Sequence, residues 1–167
     1  MSKMQHKIEG NKLILERTFN APTQKVWDAF TTKEIFIKWW GPRGWETEVK
    51  EFSFSEGGVN HYGMKCVDPT QGEWFEKYSW GKMVYSNIKS IDMFEYVDYF
   101  CDKDGVVQEG MPSSSTIIQF VDENGMTKII STTTFASEEA LNTVMDMGML
   151  PGITQTWDRL EEIVIKQ

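Results

Sequence analysis

Cysteine and histidine are scarce in this chain, with two of each in 167 residues. Cys66 and Cys101 form no Cys-x-x-Cys pair, and no spacing among them, His6 and His61 matches a zinc site. No metal and no cofactor are expected. The thiols read as reduced, and Met1–Phe19 lacks a secretion-type apolar run, so a cytoplasmic setting is expected. Long apolar runs are missing everywhere, and a membrane-spanning helix needs ~20 such residues. Basic charge is in deficit: 17 Lys and Arg against 25 Asp and Glu give a net charge of −8. Phosphate backbones are neutralised by clustered Lys and Arg, and no such cluster occurs, which argues against nucleic acid. There is no phosphate-cradling loop: Gly57-Gly58 reads as a hairpin turn, and Gly41-Pro42-Arg43-Gly44 leads into a strand. Neither histidine has a supported partner for a nucleophilic triad, so no catalytic residue is assigned. No repeat, low-complexity tract or linker divides the chain, so residues 1–167 read as one domain.

Large apolar side chains, by contrast, abound: seven Trp, ten Phe, five Tyr and ten Met. Such side chains fill cores and also line adaptable pockets. Lys12–Phe19 alternates as a first strand. Ala21-Pro22 opens a short helix, and Thr31-x-x-Glu34 has the form of a capping box that starts a second, ended by Gly41-Pro42. From Trp45 the period changes to two. Strands are expected at Trp45–Phe54, Val59–Val67, Glu73–Ser86, Met93–Cys101, Ser114–Val121 and Met126–Phe135, the last two joined at Asn124-Gly125. Ser137 caps a long C-terminal helix whose apolar stripe runs from Leu141 to Val164. Pro151 predicts a kink or break around Gly148–Gly152.

Six hairpin-linked strands make an antiparallel meander, the first strand joins at an edge, and only the terminal helix can cover a face. The class is α+β: a curved seven-stranded sheet wrapped on a long helix, with two short helices between strands 1 and 2. Twist makes such a sheet curl. Large side chains filling the curl make a plain core; Gly148 and Gly152 leaving it open make a pocket.

Arg17-Thr-Phe-Asn-Ala-Pro22-x-x-x-Val26-Trp27-x-Ala29-Phe30, followed by Trp39-Trp40-Gly41-Pro42, resembles the opening of the family of homologues of the activator of the Hsp-90 ATPase. Gly57-Gly58 with Tyr62 and Met64, Trp80-Gly81-Lys82-Met83, and Glu95-Tyr96-x-Asp98-Tyr99-Phe100 resemble its middle strands. Glu139-Ala140-Leu141, Met147-Gly148-Met149-x-x-Gly152, Gln155-Thr156 and Asp158-Arg159-Leu160 resemble its terminal helix. The resemblance runs from about Leu13 to Val164 and implies the START-like helix-grip fold of the SRPBCC superfamily, with a hydrophobic cavity under the last helix. Asn60, Pro151, Ile153 and Trp157 depart from the residues usual at those places, which shifts volume within that region.

Alternation puts Asn60, Tyr62 and Met64 on one face of their strand, and Phe94, Tyr96, Asp98 and Phe100 on one face of theirs. Thr116, Ile118 and Phe120 share a face, as do Ile129, Ser131, Thr133 and Phe135. The resemblance implies that these faces point inward, and the helix adds Met145, Gly148, Met149, Gly152, Ile153 and Thr156. Asp98 marks either a ligand hydrogen bond with a raised pKa or a structural bond to a neighbouring hydroxyl. His61, out of phase, reads as solvated; Trp39-Trp40 reads as a core plug and Glu161-Glu162 as a solvated helix face. The leading expectation is binding of a lipophilic or aromatic small molecule in that cavity by a monomer or weak dimer. Two alternatives stand beside it. One is a co-chaperone-like interaction module with a chaperone partner, although full-length chaperone activators carry a further domain for which this chain has no room. The other is a cyclase- or hydrolase-type enzyme acting on an aromatic substrate through Asp98 and a nearby Tyr.

Overall fold

Every second residue of β2 (Lys12–Phe19) is buried, and the same alternation runs through β8 (Met126–Phe135), the mark of a sheet with one covered face. The computed structural model describes residues 3–165. In chain order it forms β1 (Gln5–Glu9), β2, α1 (Thr23–Thr31), α2 (Lys33–Trp39), β3 (Trp45–Phe52) and β4 (Val59–Cys66). A 3₁₀ segment (Pro69–Trp74) precedes β5 (Tyr78–Lys89), β6 (Met93–Cys101), β7 (Ser114–Glu123), β8, α3 (Glu138–Asp146) and α4 (Met149–Ile165). The sheet is antiparallel, in the order β1-β2-β8-β7-β6-β5-β4-β3.

Several expectations need correction. The sheet has eight strands, not seven. All five residues of β1 are exposed, so it pairs with β2 by its backbone alone and leaves no hydrophobic period to read. Glu73 does not start a strand. Asp68 accepts hydrogen bonds from the Thr70 N–H (2.9 Å) and hydroxyl (2.7 Å), which closes the Pro69–Trp74 turn and delays β5 to Tyr78. The capping box is not formed: Thr32 is the N-cap of α2 without a side-chain bond, while the Thr31 hydroxyl donates to the Trp27 carbonyl at 3.0 Å. The break expected around Gly148–Gly152 is present, and it divides the C-terminal helix in two. Gly148, at φ +88°, ends α3 in the left-handed conformation that favours glycine, and Pro151 lies in the first turn of α4, where N–H groups lack helical partners anyway. Ser137 does cap α3, accepting from the Ala140 N–H at 3.0 Å.

Strand register fixes the covered face. Tyr62 pairs with Gly81, Gly81 with Phe100, Met83 with Asp98, Asp98 with Ser114, Thr116 with Thr133, and Ser131 with Leu15. One end of this trough is solid. Trp27 and Phe30 from α1 meet Phe120 at 5.0 and 5.5 Å between ring centroids, and Trp27 meets Phe94 at 5.8 Å. Trp39 is fully buried and donates its indole N–H to the Ala29 carbonyl at 2.9 Å.

Helix α4 leans on β2 at one edge and on α1 and α2 at the other. Polar bonds hold it there. Arg17, buried on β2, reaches Asp158 at 2.8 Å and Glu161 at 3.7 Å. Glu161 is therefore buried, against the expected solvated face, because Arg17 points up at it from the sheet. Arg159 donates to the carbonyls of Gly41 (2.7 Å), Trp45 (3.2 Å) and Lys38 (3.1 Å), and Arg43 pairs with Glu162 at 2.7 Å. The loop after α2 is thus strapped to α4, and α4 bridges the trough instead of sinking into it.

Candidate functional site

Beneath that bridge lie two adjoining hollows. One, of about 220 Å³, lies among Tyr62, Met64, Gly81, Asp98, Tyr99, Phe100, Ser114, Phe135, Val144 and Met149. The other, of about 210 Å³, is lined by Leu15, Trp40, Gly41, Pro42, Tyr96, Thr116, Ser131, Thr133, Gly152, Ile153 and Thr156. Tyr62, Met64, Asp98, Ser114 and Met149 line both, so the two adjoin along these residues. A groove of about 440 Å³ between Pro42, Trp45, Trp74 and Met147 shares Met64 and Ser79 with the first hollow.

Eleven of the candidate residues border these spaces: Tyr62, Met64, Tyr96, Asp98, Phe100, Ser131, Thr133, Met149, Gly152, Ile153 and Thr156. Six do not. Phe94, Ile118 and Phe120 belong to the packed core, since β6 and β7 run from the solid end of the trough to the hollow end. Asn60, fully buried, donates its amide to the Tyr85 hydroxyl at 3.1 Å within that same core. Met145 packs against the core as well, and Gly148 is exposed at the helix break. Lining residues that the sequence reading missed include Trp40, Gly41 and Pro42, which enter because Arg159 draws their loop over the trough. Thr116, which alternation had already placed on the inward face of its strand, lines the second hollow, and Ser114 could have been found by extending that alternation on β7.

Asp98 is the chemical centre. The Tyr62 hydroxyl donates to its carboxylate, lying 3.2 Å from both oxygens. Burial pushes the Asp98 carboxyl up to about 7, with the Tyr62 hydroxyl and the Tyr99 backbone N–H pulling the other way. The same burial, reinforced by the Asp98 charge, raises the Tyr62 and Tyr96 phenols, so both are neutral donors at physiological pH. Tyr62 is pinned by geometry: a Cβ on Gly81 would fall 2.3 Å from its ring, so only glycine opposite lets the ring lie flat on β5. Deeper along the wall, Thr116 and Thr133 satisfy one another at 2.9 Å.

His61 is buried, not solvated. Asp102 accepts from the N–H groups of Asp104 and Val106, each at 2.9 Å, which folds the loop after β6 over the outer face of β4. His61 then donates Nε2–H to the Asp102 carbonyl at 3.0 Å. Among the described residues no group of three or more His, Cys, Asp or Glu could hold a metal ion, and no helix is long and apolar enough to cross a membrane.

A curved antiparallel sheet gripping a C-terminal helix defines a START-like, helix-grip protein. A profile of the family described as "Activator of Hsp90 ATPase homolog 1-like protein" matches residues 20–164, and the chain belongs to that family. Solved relatives agree. A Staphylococcus epidermidis protein is 30% identical, with 96% of this chain and 93% of that one covered and a TM-score of 0.82. A Mycobacterium smegmatis protein shares 23% identity over 97% of this chain and 95% of its own, at a TM-score of 0.84. An Arthrobacter aurescens protein shares 21% over 99% and 92%, at 0.87. No functionally curated protein matches the chain at a significant level.

Proposed function

We propose that this protein binds a lipophilic, aromatic small molecule in the paired hollows between the sheet and α4. The observation that carries the reading is the lining itself: apolar and aromatic walls, with a few convergent hydroxyls and one carboxylate, between the sheet and α4. An engineered apolar cavity of about 150 Å³ accepts benzene, so each hollow, at about 220 and 210 Å³, has room for a ring. Affinity comes from burying apolar ligand surface, at roughly 25 cal/mol per Å² before the costs of association are subtracted.

Native mass spectrometry of the purified protein, together with titration of the neutral fluorophore N-phenyl-1-naphthylamine, tests the reading. The expected result is a one-to-one complex with enhanced, displaceable fluorescence. Absence of both complex and enhancement overturns it.

One observation favours a second reading. A carboxyl at about 7 that accepts from a neutral phenol suits general acid–base work near neutral pH. On that reading the protein is a cyclase- or hydrolase-type enzyme on an aromatic substrate, and Asp98→Asn must abolish any turnover found in a substrate panel. The family description mentions an Hsp90 ATPase activator, which motivates a chaperone-partner reading. An unchanged chaperone ATPase rate on adding this protein disposes of it.

A further inference from the structure

We infer that the ligand is an organic amine, bound as its ammonium with the nitrogen on Asp98 and an apolar arm in each hollow. This rests on the small-molecule reading above and adds the chemical class. Asp98 is the one charged side chain facing the hollows among the described residues; no Lys, Arg or His lines either. Every element packed around it presents uncharged groups: Tyr62 from β4, Gly81 and Met83 from β5, Tyr96 and Phe100 beside it on β6, Ser114 from β7, and Met149 from α4. Lys82 pairs with Tyr99 on the opposite face of the sheet.

Asp98 is half-buried, and an ionised carboxylate partly screened from water gains from an opposite charge. Among the described residues the protein supplies the Tyr62 hydroxyl and the Tyr99 backbone N–H there and no cation, which leaves the carboxyl raised to about 7. A ligand ammonium supplies the missing charge. Aromatic faces suit the same guest, because ring quadrupoles attract cations. Trp40 and Tyr62, with centroids 5.6 Å apart, both wall the second hollow, and Tyr96 adds a third ring. Position sets the ligand's shape. Asp98 is one of five residues that line both spaces, of about 220 and 210 Å³, so a nitrogen held on it can carry an apolar arm into each. Below neutrality binding is an exchange: the ammonium enters, Asp98 loses its proton to solvent, and the ion pair forms.

The test compares dibenzylamine, its uncharged isostere dibenzyl ether, and the one-armed benzylamine by isothermal titration calorimetry. Dibenzylamine is expected to bind at least tenfold tighter than either at pH 7.5. In Asp98→Asn that advantage over the ether disappears while ether binding stays within about threefold. Between pH 5.5 and 7.5 the affinity of the wild type for dibenzylamine rises roughly 25-fold as Asp98 ionises. Buffers of different ionisation enthalpy then report close to one proton released per amine at pH 6, and this wild-type reading decides the matter if the variant fails to fold. Ether binding as tightly as amine, or binding without proton release, overturns the amine assignment and leaves the cavity reading standing. Failure of all three compounds and of the neutral fluorophore overturns both.

Discussion

Replacing Asp98 by Asn changes one atom and removes one titration, so it isolates the electrostatic part of this account. The unfolded carboxyl has an ordinary value of about 3.9, and the folded one lies at about 7. The folded state therefore holds its proton more tightly. Stability contributed by the neutral acid is present in full below the unfolded value and is lost as pH rises through the folded value. The rise corresponds to about 4 kcal/mol once Asp98 is fully ionised, and partial access of water to the hollows reduces this to about 2 kcal/mol. Asn cannot ionise and still accepts from the Tyr62 hydroxyl, so the variant escapes the loss. For a chain of 167 residues, that makes the variant about 4 to 8 °C more stable at pH 8, with the gap closing by pH 4. Thermal melts followed by circular dichroism across this range provide the assay. Parallel curves, with a gap independent of pH, refute the claim that burial holds Asp98 neutral.

Further predictions concern the walls. Tyr62→Phe keeps the ring over Gly81 but removes the donor to Asp98, so a carboxyl titration by NMR shifts above about 7 and stability at pH 8 falls by about 1 kcal/mol. Gly81→Ala drives a Cβ to 2.3 Å from the Tyr62 ring and costs about 1–3 kcal/mol, whereas Gly152→Ala, with nothing within 4 Å, stabilises α4 by about 0.5–1 kcal/mol; chemical denaturation distinguishes them. Arg17→Met removes the cation 3.7 Å from the buried Glu161 and destabilises by about 3 kcal/mol, and adding Glu161→Leu recovers most of that loss. Arg159→Ala frees the carbonyls of Gly41 and Trp45 and raises hydrogen exchange in residues 40–45 without a matching rise in β6.

Strands with one wet face were legible because each residue reports its side by period: β2, β6, β7 and β8 lie close to where alternation put them. The edge strand β1 was not, since neither of its faces meets the core. Alternation also told which residues face inward without telling how far along the trough packing stops. Phe94 and Asp98 share a face of β6, yet one sits against Trp27 and the other opens onto the hollows. That division depends on α1 and on the tether from Arg159 to the loop after α2, whose partners Arg159 and Gly41 lie 118 positions apart. His61 and Glu161 were misjudged for a related reason. Period assigns a face, whereas a loop folded by Asp102, or an arginine reaching up from β2, decides whether that face is covered.

The central claim is that a guest enters between the sheet and α4. Methyl NMR of methionine-labelled protein addresses it directly, because Met64 and Met149 face both hollows whereas Met111 and Met126 are exposed. On adding N-phenyl-1-naphthylamine, the Met64 and Met149 methyls should shift and show contacts to the naphthyl protons while Met111 and Met126 stay in place. Shifts confined to the exposed methyls, or no shifts at all, contradict the account.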